Sequence, residues 1–218
     1  MQANEILSAL EEDIVFGMLS PKSRLVEERL AERFDTKRHV IREVFSALEK
    51  LGLVERVPNK GAILTEFAPT EVLHIYEVRQ MLEQHACSTT PLPFPSELLI
   101  QMEGIQCRNE AAVFDGRYHE IFRLCANFHR LQYSVCPNKH LVQTINDYAR
   151  KAHMITAADF DGHHYMTRMV AQNRKFIEAM IGQDNQKLVE LIKSHFSSLS
   201  SEYFRSYNIR YGLGRPKM

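Results

Sequence analysis

The chain has 218 residues, of which 44% are hydrophobic, and its 27 basic side chains balance 27 acidic ones. A net charge of zero excludes a protein that binds polyanions through bulk charge, so any nucleic-acid affinity must come from local clusters. The length and the even spread of apolar residues are sufficient for two small domains or one large one.

Two helices are predicted at the start of the chain. The second occupies residues 26–34 (VEERLAERF), where an apolar residue recurs at every fourth position. Asp35 or Thr36 interrupts this pattern and is expected to cap the helix that follows. The first helix is predicted over residues 5–18, where six apolar residues share one side and would pack beneath that following helix: Ile6, Leu7, Leu10, Ile14, Val15 and Met18.

A third helix has a buried stripe and a basic N-terminal end. The stripe consists of Val40, Ile41, Val44, Phe45, Leu48 and Leu51. The polar side chains that lead the helix and face outward are Lys37, Arg38, His39 and Arg42. Such an end suits the major groove of DNA, where arginine pairs with guanine while lysine or histidine reaches phosphates or base edges. The alternative is a solvated helix face.

A β-hairpin is predicted directly after this helix, which ends at Gly52. Two short strands, 53–57 and 62–65, flank the tip Pro58-Asn59-Lys60-Gly61. The cation of Lys60 and the close backbone approach that Gly61 allows suit a position beside a phosphate backbone or in a minor groove.

The pattern becomes helical throughout after Pro69, which breaks the strand, and Thr70, which can cap a helix. We therefore predict a mostly α fold with two domains, a winged helix-turn-helix over residues 1–68 and an all-α six-helix bundle over residues 69–218. The bundle helices are predicted at 71–87, 96–114, 116–136, 139–157, 165–182 and 184–207, with a stiff proline-rich loop at 88–96.

Targeting signals are not recognisable in this sequence. The N-terminal residues MQANEILSALEED do not resemble a signal peptide, and no apolar run approaches the length that crosses a bilayer. The four cysteines, Cys87, Cys107, Cys125 and Cys136, show no CxxC spacing. We expect a cytoplasmic protein without a membrane partner.

The N-terminal pattern carries a family resemblance. The segment KRHVIREVF at 37–45, followed by Gly-Leu-Val at 52–54, resembles the Ser-Arg-x-x-Val-Arg-Glu-Ala-Leu and Gly-Leu-Val motifs of the GntR family of bacterial transcription regulators. The resemblance implies base and phosphate contacts by Arg38 and Arg42, and Gly61 matches the family's wing glycine. Together with the residue chemistry above, it predicts a DNA-contacting set of Lys37, Arg38, His39, Arg42, Lys60 and Gly61. Two positions depart from the family, because Lys37 replaces the usual Ser or Thr and Glu28 replaces an arginine with which some members touch DNA. The operator sequence is therefore not implied.

The helical domain is similar to the FCD branch of the same family. The similarity is carried by YEVRQMLE at 76–83, by Phe128-His129 with CPNKHL at 136–141, and by IEAMIGQD at 177–184 up to Ser194-His195-Phe196. In that branch the bundle binds a small effector and forms a dimer. The resemblance implies a homodimeric regulator, more often a repressor, that binds an inverted-repeat operator in double-stranded DNA.

The family's metal ligands are altered here. Many FCD proteins use one Asp and three His, and the corresponding positions hold Cys125, His129, Asn173 and His195. An amide oxygen and a soft thiolate should remove the preference for hard metals. Three outcomes are open. The site binds an organic effector without metal, it holds zinc or another divalent metal through Cys125, His129 and His195, or it is a vestigial polar core.

Arg79 is a further candidate for effector binding, because a guanidinium can bind an anionic effector through bidentate hydrogen bonds. An interhelical salt bridge is the alternative. The effector site is thus predicted to contain Arg79, Cys125, His129, Asn173 and His195. The adjacent pair His163-His164 is not expected to chelate a metal.

The sequence has features of two other functional classes. Cys125 and His129 have the spacing of a thiolate-imidazole pair, as in a hydrolase, but no oxyanion hole, phosphate loop or second acid is recognisable. A winged helix used as a protein-interaction adaptor is opposed by the exposed cluster that contains Lys37, because interface cores tend to exclude lysine. We expect a DNA-binding regulator and not an enzyme.

Overall fold

The structure, a computed structural model, describes residues 1–57, 61–156 and 162–210. These residues form nine helices and three short strands, in the order α1 Ala3–Val15, β1 Arg24–Leu25, α2 Glu27–Arg33, α3 Arg38–Lys50, β2 Val54–Val57, β3 Gly61–Leu64, α4 Pro69–Thr89, α5 Ser96–Phe114, α6 Tyr118–Ser134, α7 Lys139–Thr156, α8 Gly162–Ile181 and α9 Asn185–Arg210. The predicted fold class is confirmed.

The chain divides into two compact units. The first contains residues 1–72 and the part of α7 from Asp147 onward, and the second contains residues 73–146 with the described residues from 162 onward. The boundary between residues 68 and 69 stays a prediction.

The core of the first unit lies between α1 and α3. Ile6, Leu10, Ile41 and Phe45 are fully buried there, as the apolar spacing predicted. Met18 is an exception, because α1 ends at Val15 and a turn leaves the Met18 side chain 77% exposed.

The turn between α2 and α3 differs from the prediction that Asp35 or Thr36 caps α3. The N-cap is Lys37, which makes no side-chain capping bond. Asp35 has a φ of 44°, and the amides of Asp35 and Thr36 donate to the carbonyls of Glu32 and Ala31 at 3.2 and 3.0 Å. These residues therefore close the C-terminus of α2, because a short polar residue tolerates the left-handed conformation that ends a helix.

Gly52 ends α3 as predicted, with a φ of 68° and an amide that donates to the Glu49 carbonyl at 2.8 Å. The hairpin strands β2 and β3 follow, and β3 lies between β2 and β1 in an antiparallel sheet. The two-residue strand β1 was not predicted, because it is too short to show an alternating pattern.

In the described residues after the hairpin there are six helices, which lie close to the predicted ranges. In the second unit α5 packs against both α6 and α8, and α8 also packs against α9. Phe128, Phe176 and Phe196 are buried in its core. Asp184 caps α9 as predicted, since its Oδ1 accepts the amide of Gln186 at 3.0 Å. Within the described residues, no helix has both the length and the hydrophobicity of a membrane span.

Candidate functional site

The predicted DNA-contacting side chains lie at the N-terminal end of α3. Lys37, Arg38, His39 and Arg42 are all exposed, whereas the opposite side of the helix is buried against α1 and α2. A buried core thus supports a polar surface of two arginines, a lysine and a histidine. Such a surface can donate hydrogen bonds to base edges and phosphates.

Both arginines of this surface are paired with glutamates of α2. Arg38 donates to a carboxylate oxygen of Glu28, and Arg42 Nε donates to Glu27 Oε2 at 3.0 Å. The Arg38 and Glu28 side chains are 60% and 63% exposed, so water screens their attraction. The sequence placed the glutamates outside the apolar stripe of α2 but did not indicate these partners.

Gly61 is the first residue of β3 and lies against the end of the neighbouring strand β1. Its φ is 92°, and a Cβ atom at this position would lie 2.0 Å from the carbonyl oxygen of Leu25. The close backbone approach that was predicted for Gly61 therefore involves the neighbouring strand of its own sheet. Lys60 and the rest of the hairpin tip lie outside the described residues.

In the second unit, neutral polar side chains from three helices meet in the core. Cys125 Sγ of α6 lies 3.8 Å from Asn173 Nδ2 of α8 and 3.9 Å from Asn109 Oδ1 of α5. At most 3% of each residue is exposed. Burial raises the pKa of the Cys125 thiol to about 12, so the sulfur carries its proton at neutral pH.

Asn109 was not among the predicted site residues. It shares the buried side of α5 with Met102, Ile105, Gln106 and Ala112, at the spacing of an apolar stripe. A polar residue at a stripe position was the available signal, because a buried amide needs a hydrogen-bond partner.

His129 and His195 lie beside each other near this cluster. Their ring centroids are 5.9 Å apart, and His195 Nδ1 lies 2.7 Å from Gln172 Oε1 of α8. Burial lowers the pKa of His195 to about 3, with a further contribution from the positive charge of Arg79. His195 is therefore a neutral imidazole at physiological pH.

Arg79 is engaged by its own helix. Its Nε and Nη2 atoms lie 3.0 and 2.9 Å from Glu83 Oε1, and its guanidinium lies 5.0 Å from the Phe196 ring centre. Tyr133 of α6 donates to Glu83 Oε2 at 2.7 Å. The predicted alternative of an interhelical salt bridge is thus replaced by a pair within α4, which the Tyr133 hydroxyl links to α6.

The charge of Arg79 is balanced by these neighbours. Burial by itself lowers the pKa of its guanidinium, but Glu83 and the tyrosines around it raise the pKa to above the usual value. Arg79 and Glu83 are 6% and 3% exposed, so the pair is a buried ion pair with little net charge.

Two family models match the chain. The model of bacterial regulatory proteins of the gntR family matches residues 2–64, and the FCD domain model matches residues 74–198, which is more than half of the chain. The chain belongs to the GntR family, in its FCD branch. It is therefore a DNA-binding transcription regulator with a ligand-binding C-terminal domain, and the adaptor and enzyme alternatives are wrong.

Related proteins extend over nearly the whole regulator. The HTH-type transcriptional regulator YdhC of Bacillus subtilis is 26% identical over 194 residues, covering 88% of this chain and 87% of that protein. The HTH-type transcriptional repressor RspR of Escherichia coli K12 is 21% identical over 196 residues, covering 90% and 86%. The structure of E. coli McbR/YncC has a similar fold, with a TM-score of 0.77 and 16% identity over 94% of this chain and 98% of that one.

The altered metal positions of this regulator do not form a metal centre in the described ranges, where no group of three or more His, Cys, Asp or Glu side chains could hold an ion. Cys125 faces two amides and His195 is bonded to Gln172. The geometry therefore gives no support to a zinc site of Cys125, His129 and His195. The side chains of His163 and His164 lie outside the described part of the structure.

Acid is expected to destabilise the regulator through His195. The pKa of about 3 lies below the ordinary value of 6.5, so the unfolded chain binds a proton that the folded chain does not. The stability conferred by the neutral ring is therefore fully present above about pH 6.5 and is lost as the pH falls towards about 3. When the pH falls from 7 to 5, the unfolding free energy of the wild type should decrease by about 1–2 kcal/mol more than that of His195→Asn. Urea denaturation at both pH values measures this difference.

His140→Asn is the matched control, because it makes the same substitution at an exposed position. An identical loss of stability in the wild type and in His195→Asn would contradict the lowered pKa of His195.

Proposed function

We propose that this regulator is a cytoplasmic homodimer that represses transcription at an inverted-repeat operator and responds to a small, uncharged effector in its bundle. The observation that supports operator binding is the exposed basic N-terminal end of α3. There Arg38 and Arg42 supply base and phosphate contacts and Lys37 and His39 assist, while Lys60 and Gly61 place the hairpin. Repression is supported by the similarity to the repressor RspR.

The charge balance of the DNA-binding domain supports a homodimer. Residues 1–68 contain more Asp and Glu than Lys and Arg, so one α3 surface has only a few local cations with which to hold DNA. Two copies double these contacts and match the two-fold symmetry of an inverted repeat.

The effector site proposed here is the neutral cluster of Cys125, Asn173 and His195 with the neighbouring His129. In the described structure, the Nδ2 group of Asn109 is buried there without a hydrogen-bond partner. A buried donor of this kind can bind a carbonyl, hydroxyl or ether oxygen. The site needs no resident metal for that interaction.

Arg79 supports an uncharged effector better than the anionic one suggested by the sequence. Its guanidinium is paired with Glu83, and release from that pair would leave a buried carboxylate uncompensated. Arg79 thus lies beside the site and balances the charge of Glu83.

The effector would act by changing how α5, α6 and α8 pack, because the cluster takes one side chain from each of these helices. A ligand that binds one packing arrangement better than another shifts the population towards it. Operator affinity then changes by the same coupling free energy.

Selection of genomic DNA fragments on the purified protein, at two salt concentrations, tests the proposal. We expect recovery of a short inverted repeat that survives the higher salt, because specific contacts add to the salt-sensitive phosphate contacts. Recovery of random fragments alone would contradict sequence-specific binding by α3.

The recovered operator then tests the effector site. We expect at least one uncharged metabolite to change operator binding by the wild type. The Asn173→Leu variant should bind the operator normally but should no longer respond to that metabolite. A response that survives in Asn173→Leu, or that is produced by anions alone, would overturn the proposed site.

A further inference from the structure

The guanidinium groups of the two arginines assigned to DNA contact are each paired with a carboxylate. Arg38 is bonded to Glu28 and Arg42 to Glu27, and both glutamates come from the first turn of α2. One helix thus presents two negative charges to the cationic end of the next helix. These pairs are not part of the buried core, because the two arginine side chains are 60% and 59% exposed.

We propose that Glu27 and Glu28 suppress binding to nonspecific DNA by competing with phosphates for Arg38 and Arg42. The inference rests on the assignment of α3 as the DNA-contacting helix. A phosphate offers each arginine the same kind of contact that a glutamate already provides. Exchange of one partner for the other therefore yields little net free energy on a random duplex.

A matching operator offers more than a phosphate. An arginine released from its glutamate can form two parallel hydrogen bonds with guanine, and this contact is available only where the DNA sequence places a guanine beside it. The glutamates therefore reduce the affinity for all DNA by a similar factor, so appreciable binding remains only where base contacts form.

Both ion pairs are exposed to water and therefore weak. Exposed ion pairs stabilise a protein only slightly, so each pair is expected to change DNA affinity by about two- to fivefold. Arg38 and Arg42 are thus restrained but remain available to DNA. The two glutamates also place negative charge beside the surface that meets the phosphates, which adds to the repulsion of nonspecific DNA.

The test is the double variant Glu27→Gln with Glu28→Gln, which keeps the size of each side chain and removes its charge. The matched control is Glu32→Gln with Glu49→Gln. It changes the net charge equally at exposed positions on α2 and at the far end of α3. Affinities for a random-sequence duplex and for the selected operator are measured over a range of salt concentrations.

We expect the Glu27 and Glu28 double variant to bind the random duplex about tenfold more tightly than the control variant. Its plot of log affinity against log salt should be steeper by about two, because two more cations meet phosphates. Operator affinity should rise by a similar factor, because the same two ion pairs are broken when either duplex binds.

Equal random-duplex affinity in the two double variants would overturn the proposal. Loss of operator affinity without a gain on random DNA would also overturn it, since the glutamates would then contact bases directly. Failure of the assigned DNA-contacting surface has a different signature: Arg38→Ala would bind both duplexes like the wild type.

Discussion

Arg38→Ala is expected to weaken operator binding by about ten- to hundredfold, because a bidentate contact between arginine and guanine discriminates by about 1–3 kcal/mol. Arg38 is the first residue of α3 and its side chain is exposed. The affinity for a random duplex should fall much less, since only one phosphate contact is lost there. Titration of labelled operator and random duplexes with the purified variant measures both effects.

Lys50→Ala is the matched control for this experiment. Lys50 is an exposed cation in the last turn of α3, at the opposite end of the helix from Arg38. Its loss removes the same charge and should change operator affinity by less than about threefold. Unchanged operator affinity in a folded Arg38→Ala protein would contradict the assigned role of Arg38.

Gly61→Ala should be the most destabilising single-methyl substitution in the first unit. The φ of 92° disfavours any residue with a Cβ, and that atom would lie 2.0 Å from the Leu25 carbonyl oxygen. Relief of the overlap requires the backbones of β1 and β3 to separate. We expect a loss of about 3 kcal/mol or more in unfolding free energy, with weaker operator binding because the hairpin is displaced. Urea denaturation and operator titration measure the two effects.

Gly104→Ala shows whether such a loss is specific to Gly61. Gly104 is exposed within α5, and a Cβ there would meet no atom within 4 Å. Alanine should therefore stabilise the helix by about 0.5–1 kcal/mol. A Gly61→Ala protein as stable as the wild type would contradict the observed proximity of β3 and β1.

The sequence was sufficient to predict most of the helices. Apolar residues at helical spacing indicated α1, α2 and α3, and turn residues such as Gly52 and Asp184 marked where helices end or begin. These signals are local, since a stripe depends on residues three or four positions apart and a cap on its immediate neighbours. The order of a basic helix and a hairpin was equally local, and it carried the family resemblance.

Predictions from local sequence were wrong at turns, where one residue could belong to either of two helices. Asp35 is a residue type that often forms the N-cap of a helix, as was predicted for α3, yet its backbone ends α2. Met18 continued the apolar spacing of α1 although the helix had ended three residues earlier. Composition indicates that a turn is present, but the path of the backbone decides which helix the turn residue serves.

The partners of the site residues depended on tertiary structure. The sequence by itself determined that a cationic helix end and a polar set in the bundle exist, because residue type and periodicity are written along the chain. It did not determine that Glu27 and Glu28 hold the two arginines, that Asn109 joins Cys125 and Asn173, or that Arg79 is neutralised by Glu83. Side-chain pairing across helices depends on their crossing positions and on burial, which arise only when the helices pack together.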